Sequence, residues 1–324
     1  MTYPTKALVS LSDTPYYHVV ARCVRRAWLW GLDEYAGRDY SHRKTWVLDR
    51  LAHLTHLFTI DVCAYAVMSN HYHLVLHVDQ SRARGLTLEE VAQRWRQLFN
   101  APPLVEKYLA GEATGAEQRE AEVLLTRWRA RLCDLSWFMK CMNEHLARRA
   151  NAEDQCKGRF WEGRFRSQAL LDEAGLLTAM AYVDLNPVRA GVAMTPEASP
   201  FTSIMQRIRT SREPTFRAEP ALRPLREVTS TRESIPFQLR DYLTLVDWSG
   251  RAIRADKAGA IDAELPPILQ RLSIDEKAWR RAMRPSGNVF GRAMGRLDKL
   301  RLHAHTLGQS WVRGLRHSQR LFTG

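Results

Sequence analysis

The stretch from Met68 to Val78 constrains the fold more than any other part of the sequence. Its side chains alternate between a face that carries His71, His73 and His77 and a face of tyrosine, leucine and valine, and a period of two residues predicts a β-strand. Two imidazoles at positions i and i+2 of a strand lie side by side, a spacing that suits two ligands of one divalent cation. The alternative is an exposed sheet face that carries histidines without binding a metal.

The segments around this histidine strand predict its neighbours. Residues 16–24 are β-branched and aromatic and predict a first strand, whereas residues 40–58 carry large apolar side chains at helical spacing after Ser41, a candidate N-cap. Residues 60–68 predict a second strand, which a tight turn at residues 69–70 joins to the histidine strand. The resulting order is strand, helix, strand, strand. Further helices are predicted over residues 88–99, 117–132, 135–150 and 172–186.

The formal net charge of +13 is concentrated in the second part of the chain. Residues 1–199 contain 25 Lys and Arg against 23 Asp and Glu, whereas residues 200–324 contain 23 against 12. A basic segment of this kind predicts a polyanionic partner, and nucleic acid is the first candidate. The alternative is a basic surface that only keeps the protein in solution.

Several classes of protein do not fit this sequence. No run of about 18 apolar residues occurs, so no membrane-spanning helix is predicted. The first residues lack the apolar core and small-residue cleavage site of a signal peptide, so we expect a cytoplasmic protein, associated with the nucleoid through DNA. The five cysteines are scattered without a C-x-x-C pair, which argues against a disulfide framework and against a structural zinc site.

Residues 157–171 alternate arginines with aromatic residues and end in an apolar run that predicts another strand. Arginines in such a segment can contact phosphates, rings can stack on bases, and glycines leave the backbone open to close approach. The alternative is a half-buried strand with a solvated arginine face. The candidate nucleic-acid contacts in this segment are Arg159, Trp161, Arg164, Phe165 and Arg166.

The predicted helix over residues 172–186 begins at Asp172, a candidate N-cap, and is ended by Pro187. Tyr182 and Asn186 are four residues apart, so both project from the same face of this helix, about one turn from each other. Taken alone, Tyr182 is an ordinary residue of an amphipathic helix.

Two further regions carry no assigned chemistry. Residues 80–133 predict a helical insertion that packs over or beside the sheet. Prolines and arginines predict a linker-like stretch from Pro200 to about residue 234, and apolar positions beyond it recur at helical spacing. We interpret residues 206–324 as a basic, mainly helical accessory domain that grips DNA; the alternative is a packing or dimerisation domain. Its helices are predicted over residues 237–246, 261–272, 274–283 and 290–307.

Three motifs taken together resemble the HUH single-strand DNA endonucleases, and specifically the single-tyrosine transposases of the REP-associated type. They are Tyr-His-Val at residues 17–19, the M-x-N-H-x-H-L pattern of residues 68–74, and G-x-x-x-x-G-R-F at 158–165 followed by Y-V-x-L-N-P-V-R-A-G at 182–191. The similarity covers residues 14–79 and 135–205. The insertion at 80–133 is longer than the resemblance predicts, and residues from about 206 onward have no counterpart.

The resemblance implies an α+β protein whose residues 1–205 form a ferredoxin-like HUH catalytic domain with an antiparallel sheet and flanking helices. It implies His71 and His73 as metal ligands, Tyr182 as the nucleophile, and Asn186 as a third ligand or positioning group. Two imidazoles combined with oxygen ligands fit Mg²⁺ or Mn²⁺. Arg189, which lies in the last of these motifs, joins the candidate DNA contacts. His18 receives no role beyond a structural one.

The implied activity is metal-dependent cleavage and transfer of single-stranded or hairpin DNA through a 5′-phosphotyrosine on Tyr182. The sequence does not decide between a monomer and a homodimer. One other possibility is a non-catalytic nucleic-acid-binding protein on a ferredoxin-like sheet, similar to RNA-recognition modules. Another is a nickase of the replication-initiator or relaxase type, which uses related chemistry with a different motif order or paired tyrosines.

Overall fold

The computed structural model describes residues 9–24, 29–33, 37–213, 215, 219–226, 234–253, 266–284, 291–310 and 315–322. The strands within these ranges are β1 (Tyr16–Arg22), β2 (Leu32–Asp33), β3 (Arg38–Asp39), β4 (Ile60–Val67), β5 (His71–Val78), β6 (Arg166–Leu170), β7 (Leu225–Arg226), β8 (Ile235–Gln238) and β9 (Ala293–Met294). The helices are α1 (Arg43–Leu57), α2 (Gln80–Gly85), α3 (Leu88–Arg96), α4 (Pro103–Leu109), α5 (Gly115–Leu132), α6 (Leu135–Glu153), α7 (Glu173–Asp184), α8 (Asn186–Arg189), α9 (Ser203–Arg212), α10 (Leu239–Ile253), α11 (Pro267–Arg271), α12 (Glu276–Met283), α13 (Leu297–Thr306) and α14 (Leu315–Leu321).

In the described part of the chain, the central sheet has five strands in the order β4-β5-β1-β6-β9. Strand β5 runs antiparallel to both β4 and β1, and β6 runs antiparallel to β1. The predicted α+β class and the order strand, helix, strand, strand are therefore confirmed. Within residues 1–205 the four strands are antiparallel, as predicted, and β9 from the C-terminal region, which was not predicted, pairs with β6 in parallel.

A separate apolar core covers each face of the sheet. On one face, Tyr17, Val19 and Leu74 pack with the helices before residue 151. On the other face, Val75 and Leu170 pack with α7 and with helices of the C-terminal region. Because alternate residues of a strand point to opposite faces, the histidines of β1 and β5 lie on the second face, the one that α7 covers.

The insertion between β5 and α6 is helical and packs against the first core, as predicted. Helices α3 and α5 each begin with a capping box, formed by a threonine and a glutamate three residues later. The indole rings of Trp95 and Trp128 stack between these two helices with centroids 5.1 Å apart. No helix in the described ranges is long and apolar enough to cross a bilayer.

The helix predicted over residues 172–186 is two helices in the structure. Asp172 caps α7 as predicted, because its carboxylate accepts a hydrogen bond from the backbone N–H of Gly175 at 2.8 Å. Leu185 then ends α7, and α8 begins directly at Asn186 with proline as its second residue. The predicted cap of α1 is wrong, since α1 follows His42 without a side-chain cap rather than starting at Ser41.

The region beyond residue 205 contributes to the same sheet and core. Strand β9 extends the sheet, and the Arg207 guanidinium donates to the backbone carbonyl of Cys63 on β4 at 2.8 Å. The stretch predicted as a linker from Pro200 contains α9, so part of it is helical. The helices predicted over 261–272 and 290–307 lie partly outside the described residues. The interpretation of residues 206–324 as a DNA-gripping domain stays a prediction.

Replacement of Gly175 tests whether β9 is packed against α7. A Cβ at Gly175 would lie 2.7 Å from the carbonyl oxygen of Met294 in β9, a separation that the backbone must open. Alanine is otherwise favoured over glycine in helices by about 1 kcal/mol. We nevertheless expect Gly175→Ala to lower the free energy of unfolding by roughly 1–3 kcal/mol in urea denaturation, because of this overlap. The control is Gly115→Ala in α5, where the added Cβ meets nothing closer than Arg119 at 4.0 Å. A stabilised Gly175→Ala protein would mean that β9 does not pack there.

Candidate active site

Three imidazoles meet on the face of the sheet that α7 covers. His71 and His73 are neighbours on β5, with ring centroids 5.0 Å apart. His18 of β1 stacks on His73, with centroids 5.2 Å apart and ring planes inclined by only 6°. The strand register produces this contact, because Val75 lies directly opposite His18 and His73 is its diagonal neighbour. Sequence reasoning assigned His18 no role in the site, and only the register reveals it.

Hydrogen bonds fix the orientation of these rings. Nδ1 of His71 lies 2.7 Å from the side-chain oxygen of Asn70. Because an amide oxygen can only accept, His71 donates from Nδ1 and carries its lone pair on Nε2. His73 uses Nδ1 as well, at 2.9 Å from Nε2 of His18. Both histidines of the motif therefore have Nδ1 occupied by a protein partner.

Burial keeps the three imidazoles neutral near pH 7. It lowers the pKa of His18 to about 4, and it lowers the pKa of His71 to about 4 with a smaller contribution from the Arg22 guanidinium. The pKa of His73 lies well below its usual value, first because of burial and then because His18 and His71 are close. Neutral imidazole is the form that binds a metal ion.

Helix α7 places Tyr182 beside the histidines. The Tyr182 ring centroid lies 6.0 Å from that of His73 and 6.4 Å from that of His18, with the rings edge to face. The guanidinium carbon of Arg189 lies 3.9 Å from the Tyr182 ring centroid. Arg189 is itself held by the C-terminal region, since Nε and Nη2 donate to the carbonyl oxygens of Met283 and Arg284 at 2.9 and 2.8 Å. The half-buried tyrosine thus has histidines and a fixed cation as neighbours.

The candidate metal ligands are two imidazoles and one amide. Asn186 is buried at the start of α8, and Leu185 between the two helices keeps helical dihedral angles, so Asn186 follows Tyr182 by about one turn. In the described ranges, no group of three or more His, Cys, Asp or Glu side chains is arranged as a metal site. The candidate ligands nevertheless fit a labile divalent cation in chemical type, because they combine two neutral imidazoles, each with Nδ1 occupied, with an amide oxygen.

The predicted DNA contacts occupy different environments. Arg159, Arg164 and Arg166 are exposed, and Phe165 is half-buried against the first core. Trp161 is buried instead, with its indole N–H donating to the Asn143 carbonyl at 2.8 Å. Arg189 is also buried, and its guanidinium donates to the backbone carbonyls of Met283 and Arg284. The structure therefore leaves three of these arginines on the surface and places the Trp161 ring in the core.

Two exposed arginines share the sheet face of the histidines. Arg166 of β6 lies opposite Val20, and Val20 lies opposite His73 on the other side of β1. Arg22 of β1 lies directly opposite His71 and is exposed. The alternation of the first strand places Arg22 on the same face as His18, but sequence reasoning did not include it among the candidate DNA contacts.

A buried carboxylate joins α7 to the C-terminal region. Asp184 accepts hydrogen bonds from the hydroxyls of Ser203 and Tyr242 and from the backbone N–H of Ile204. Burial raises the pKa of Asp184 to about 6, against the opposing effect of these hydrogen bonds and of the nearby Arg207 guanidinium. Helix α7, which carries Tyr182, is therefore tied to α9 and α10 through one side chain.

The raised pKa of Asp184 predicts a pH dependence of stability. Between about pH 4 and pH 6 the folded chain keeps a proton that the unfolded chain has lost, so the free energy of unfolding falls as pH rises. A shift of this size corresponds to about 3 kcal/mol. Asp184→Asn retains an acceptor for Ser203 and Ile204 but cannot ionise. Urea denaturation from pH 4.5 to 7 should show the wild type losing stability relative to this variant, and parallel curves would contradict the prediction.

Comparisons with known proteins add one structural similarity. No protein-family model matches the chain, and a search of curated proteins finds no match. Among solved structures, the chain is similar to a REP-associated tyrosine transposase bound to a REP hairpin. The TM-score is 0.34 at 11% sequence identity, and the aligned region covers 68% of this chain and 93% of that chain.

Proposed function

We propose that this chain is a single-tyrosine HUH transposase that cuts and rejoins single-stranded or hairpin DNA on a ferredoxin-like sheet. The observation that carries this proposal is the position of Tyr182 beside His73, 6.0 Å from ring to ring, although the two are far apart in sequence. A phenol next to paired neutral imidazoles supplies a nucleophile and a place for a cation on one face of the sheet.

The reaction exchanges one phosphate ester for another. The Tyr182 phenol loses its proton, its oxygen bonds to phosphorus, and the bond from phosphorus to the 3′-oxygen breaks. That oxygen takes up a proton and becomes a free 3′-hydroxyl, while the 5′ end stays on the enzyme as a phosphotyrosine. Phenolate is also a good leaving group, so attack by another 3′-hydroxyl on the phosphotyrosine transfers the strand without ATP.

The chain's own residues prepare this step. Arg189 holds the ring of Tyr182 from its fixed position on the C-terminal carbonyls, which orients the nucleophile before substrate binds. A Mg²⁺ or Mn²⁺ ion held by His71, His73 and Asn186 would polarise the scissile phosphate.

The exposed arginines offer a path for the DNA backbone. Arg166 lies two strands from His73 on the same face, and adjacent strands are about 4.8 Å apart, so the two backbone positions are roughly 10 Å apart. Arg22, opposite His71, extends this path. A basic track beside a nucleophile favours single-stranded nucleic acid over a small phosphorylated substrate.

Covalent capture tests the proposal. Full-length protein is incubated with Mn²⁺ and labelled hairpin oligonucleotides that carry single-stranded tails. We expect a protein–DNA adduct that survives denaturing electrophoresis, with the nucleotide located on the peptide that contains Tyr182 by mass spectrometry. Tight DNA binding without an adduct on any hairpin or single-stranded substrate would favour the alternative of a non-catalytic nucleic-acid-binding protein. An adduct on another residue would reject the assignment of Tyr182.

A further inference from the structure

We infer that His18 is a positioning residue that holds His73 with its proton on Nδ1, so that Nε2 of His73 is presented to the cation. This inference rests on the proposed function, since it concerns the same site. His18 is 3% exposed, lies on a different strand from the motif histidines and belongs to no ligand set named above.

The contact between the two rings requires one donor and one acceptor. Nε2 of His18 and Nδ1 of His73 are 2.9 Å apart, a hydrogen-bond distance. A neutral imidazole has one N–H and one lone pair, so either His73 donates to His18 or His18 donates to His73. The two arrangements have opposite consequences, because the second would place the His73 proton on Nε2 and block that nitrogen as a ligand.

The position of Gln168 favours the first arrangement, in which His73 donates to His18. Gln168 lies opposite His18 across β1 and β6, and its side-chain nitrogen donates to the Gly291 carbonyl at 3.2 Å. The remaining polar atom, Oε1, is buried and has no hydrogen-bond partner within the described residues. An acceptor opposite His18 favours a proton on the His18 nitrogen that does not face His73.

A directed chain of hydrogen bonds follows from this assignment. With its own proton on Nδ1, His18 accepts at Nε2 from Nδ1 of His73, which leaves the lone pair of His73 on Nε2. His71 reaches the same state by donating from Nδ1 to Asn70. Two different partners thus impose one tautomer on both motif histidines. Groups that orient metal-binding histidines in this way typically change metal affinity by 10- to 100-fold when they are removed.

The tautomer can be read in the wild-type protein without metal or DNA. Full-length protein labelled with ¹⁵N-histidine is examined by NMR at pH 7, and the His73 signals are assigned by their loss in His73→Gln. We expect His73 to be neutral and protonated on Nδ1. A His73 ring protonated on Nε2 would overturn the inference whether or not the protein cleaves DNA.

Substitution of His18 tests the consequence for metal binding. In His18→Gln the amide oxygen can replace Nε2 as the acceptor. In His18→Leu the acceptor is removed, and an apolar side chain fills the buried position. We expect Mn²⁺ titration followed by electron paramagnetic resonance to show affinity weakened about 10- to 100-fold in His18→Leu and largely retained in His18→Gln. The matched control is His53→Leu on α1, which covers the other face of the sheet.

The outcomes separate this inference from the proposed function. Wild-type affinity for Mn²⁺ in a folded His18→Leu protein would overturn the role of His18 even if Tyr182 forms its adduct. Equal losses in the Gln and Leu variants would also overturn it, because a hydrogen-bond acceptor would then not be what His18 contributes. Failure of the wild type to form any adduct would reject the proposed function, while the NMR measurement would still decide the tautomer.

Discussion

Tyr182→Phe is expected to lower the yield of the covalent DNA adduct by more than about 1,000-fold, because it removes the only atom of this side chain that can attack phosphorus. The ring remains, so its packing beside His73 and under the Arg189 guanidinium is preserved. DNA binding and the urea midpoint should therefore stay close to those of the wild type. The measurement is the adduct yield with labelled hairpin DNA and Mn²⁺.

The matched control for this substitution is Tyr108→Phe. Tyr108 lies on α4 in the insertion and packs against the first core, away from the histidine face. Its adduct yield should equal that of the wild type. If Tyr182→Phe also retains the wild-type yield, Tyr182 is not the nucleophile and the proposed mechanism is wrong.

His73→Leu is expected to weaken Mn²⁺ binding by more than about 100-fold and to remove adduct formation. A directly bound imidazole contributes more to metal affinity than the groups that orient it, whose loss alone costs 10- to 100-fold. The substitution also leaves Nε2 of His18 without its partner at 2.9 Å, which adds a small loss of stability. Mn²⁺ titration and the adduct assay measure both effects, and circular dichroism reports the fold.

DNA binding by the exposed arginines shows whether His73→Leu affects only the metal site or the whole protein. Arg159, Arg164 and Arg166 are on the surface and untouched by His73→Leu, so hairpin binding without metal should persist in that variant. His53→Leu again serves as the control for replacing a histidine. Unchanged Mn²⁺ affinity in a folded His73→Leu protein would exclude His73 as a ligand.

Much of the fold around the site was predictable because its signals are local. The alternation over residues 71–78 gave a strand whose bounds agree with β5, and the spacing of Tyr182 and Asn186 gave one helical turn. The Asp172 cap was predicted from a single residue type at a helix start and is present. These features depend on backbone periods and on side chains within a few residues of each other.

Other features required contacts between distant segments. Neither the addition of β9 to the sheet nor the bonds from Arg189 to the carbonyls of residues 283 and 284 has a local signal. Trp161 was predicted to stack on bases because it lies between arginines, but its ring packs edge to face against Tyr72 in the core. An aromatic residue between cations fits either a core or a surface, and the neighbouring strand decides which.

The sequence by itself determined that two histidines share one face of a strand and that an asparagine follows a tyrosine by about one helical turn, since both follow from local backbone geometry. Only the tertiary structure decided that His18 touches His73 and that Tyr182 lies beside them both. The physical reason is register. Burial of apolar side chains on both faces of the sheet fixes how β1 aligns with β5, and a slip of one residue would turn His18 to the opposite face.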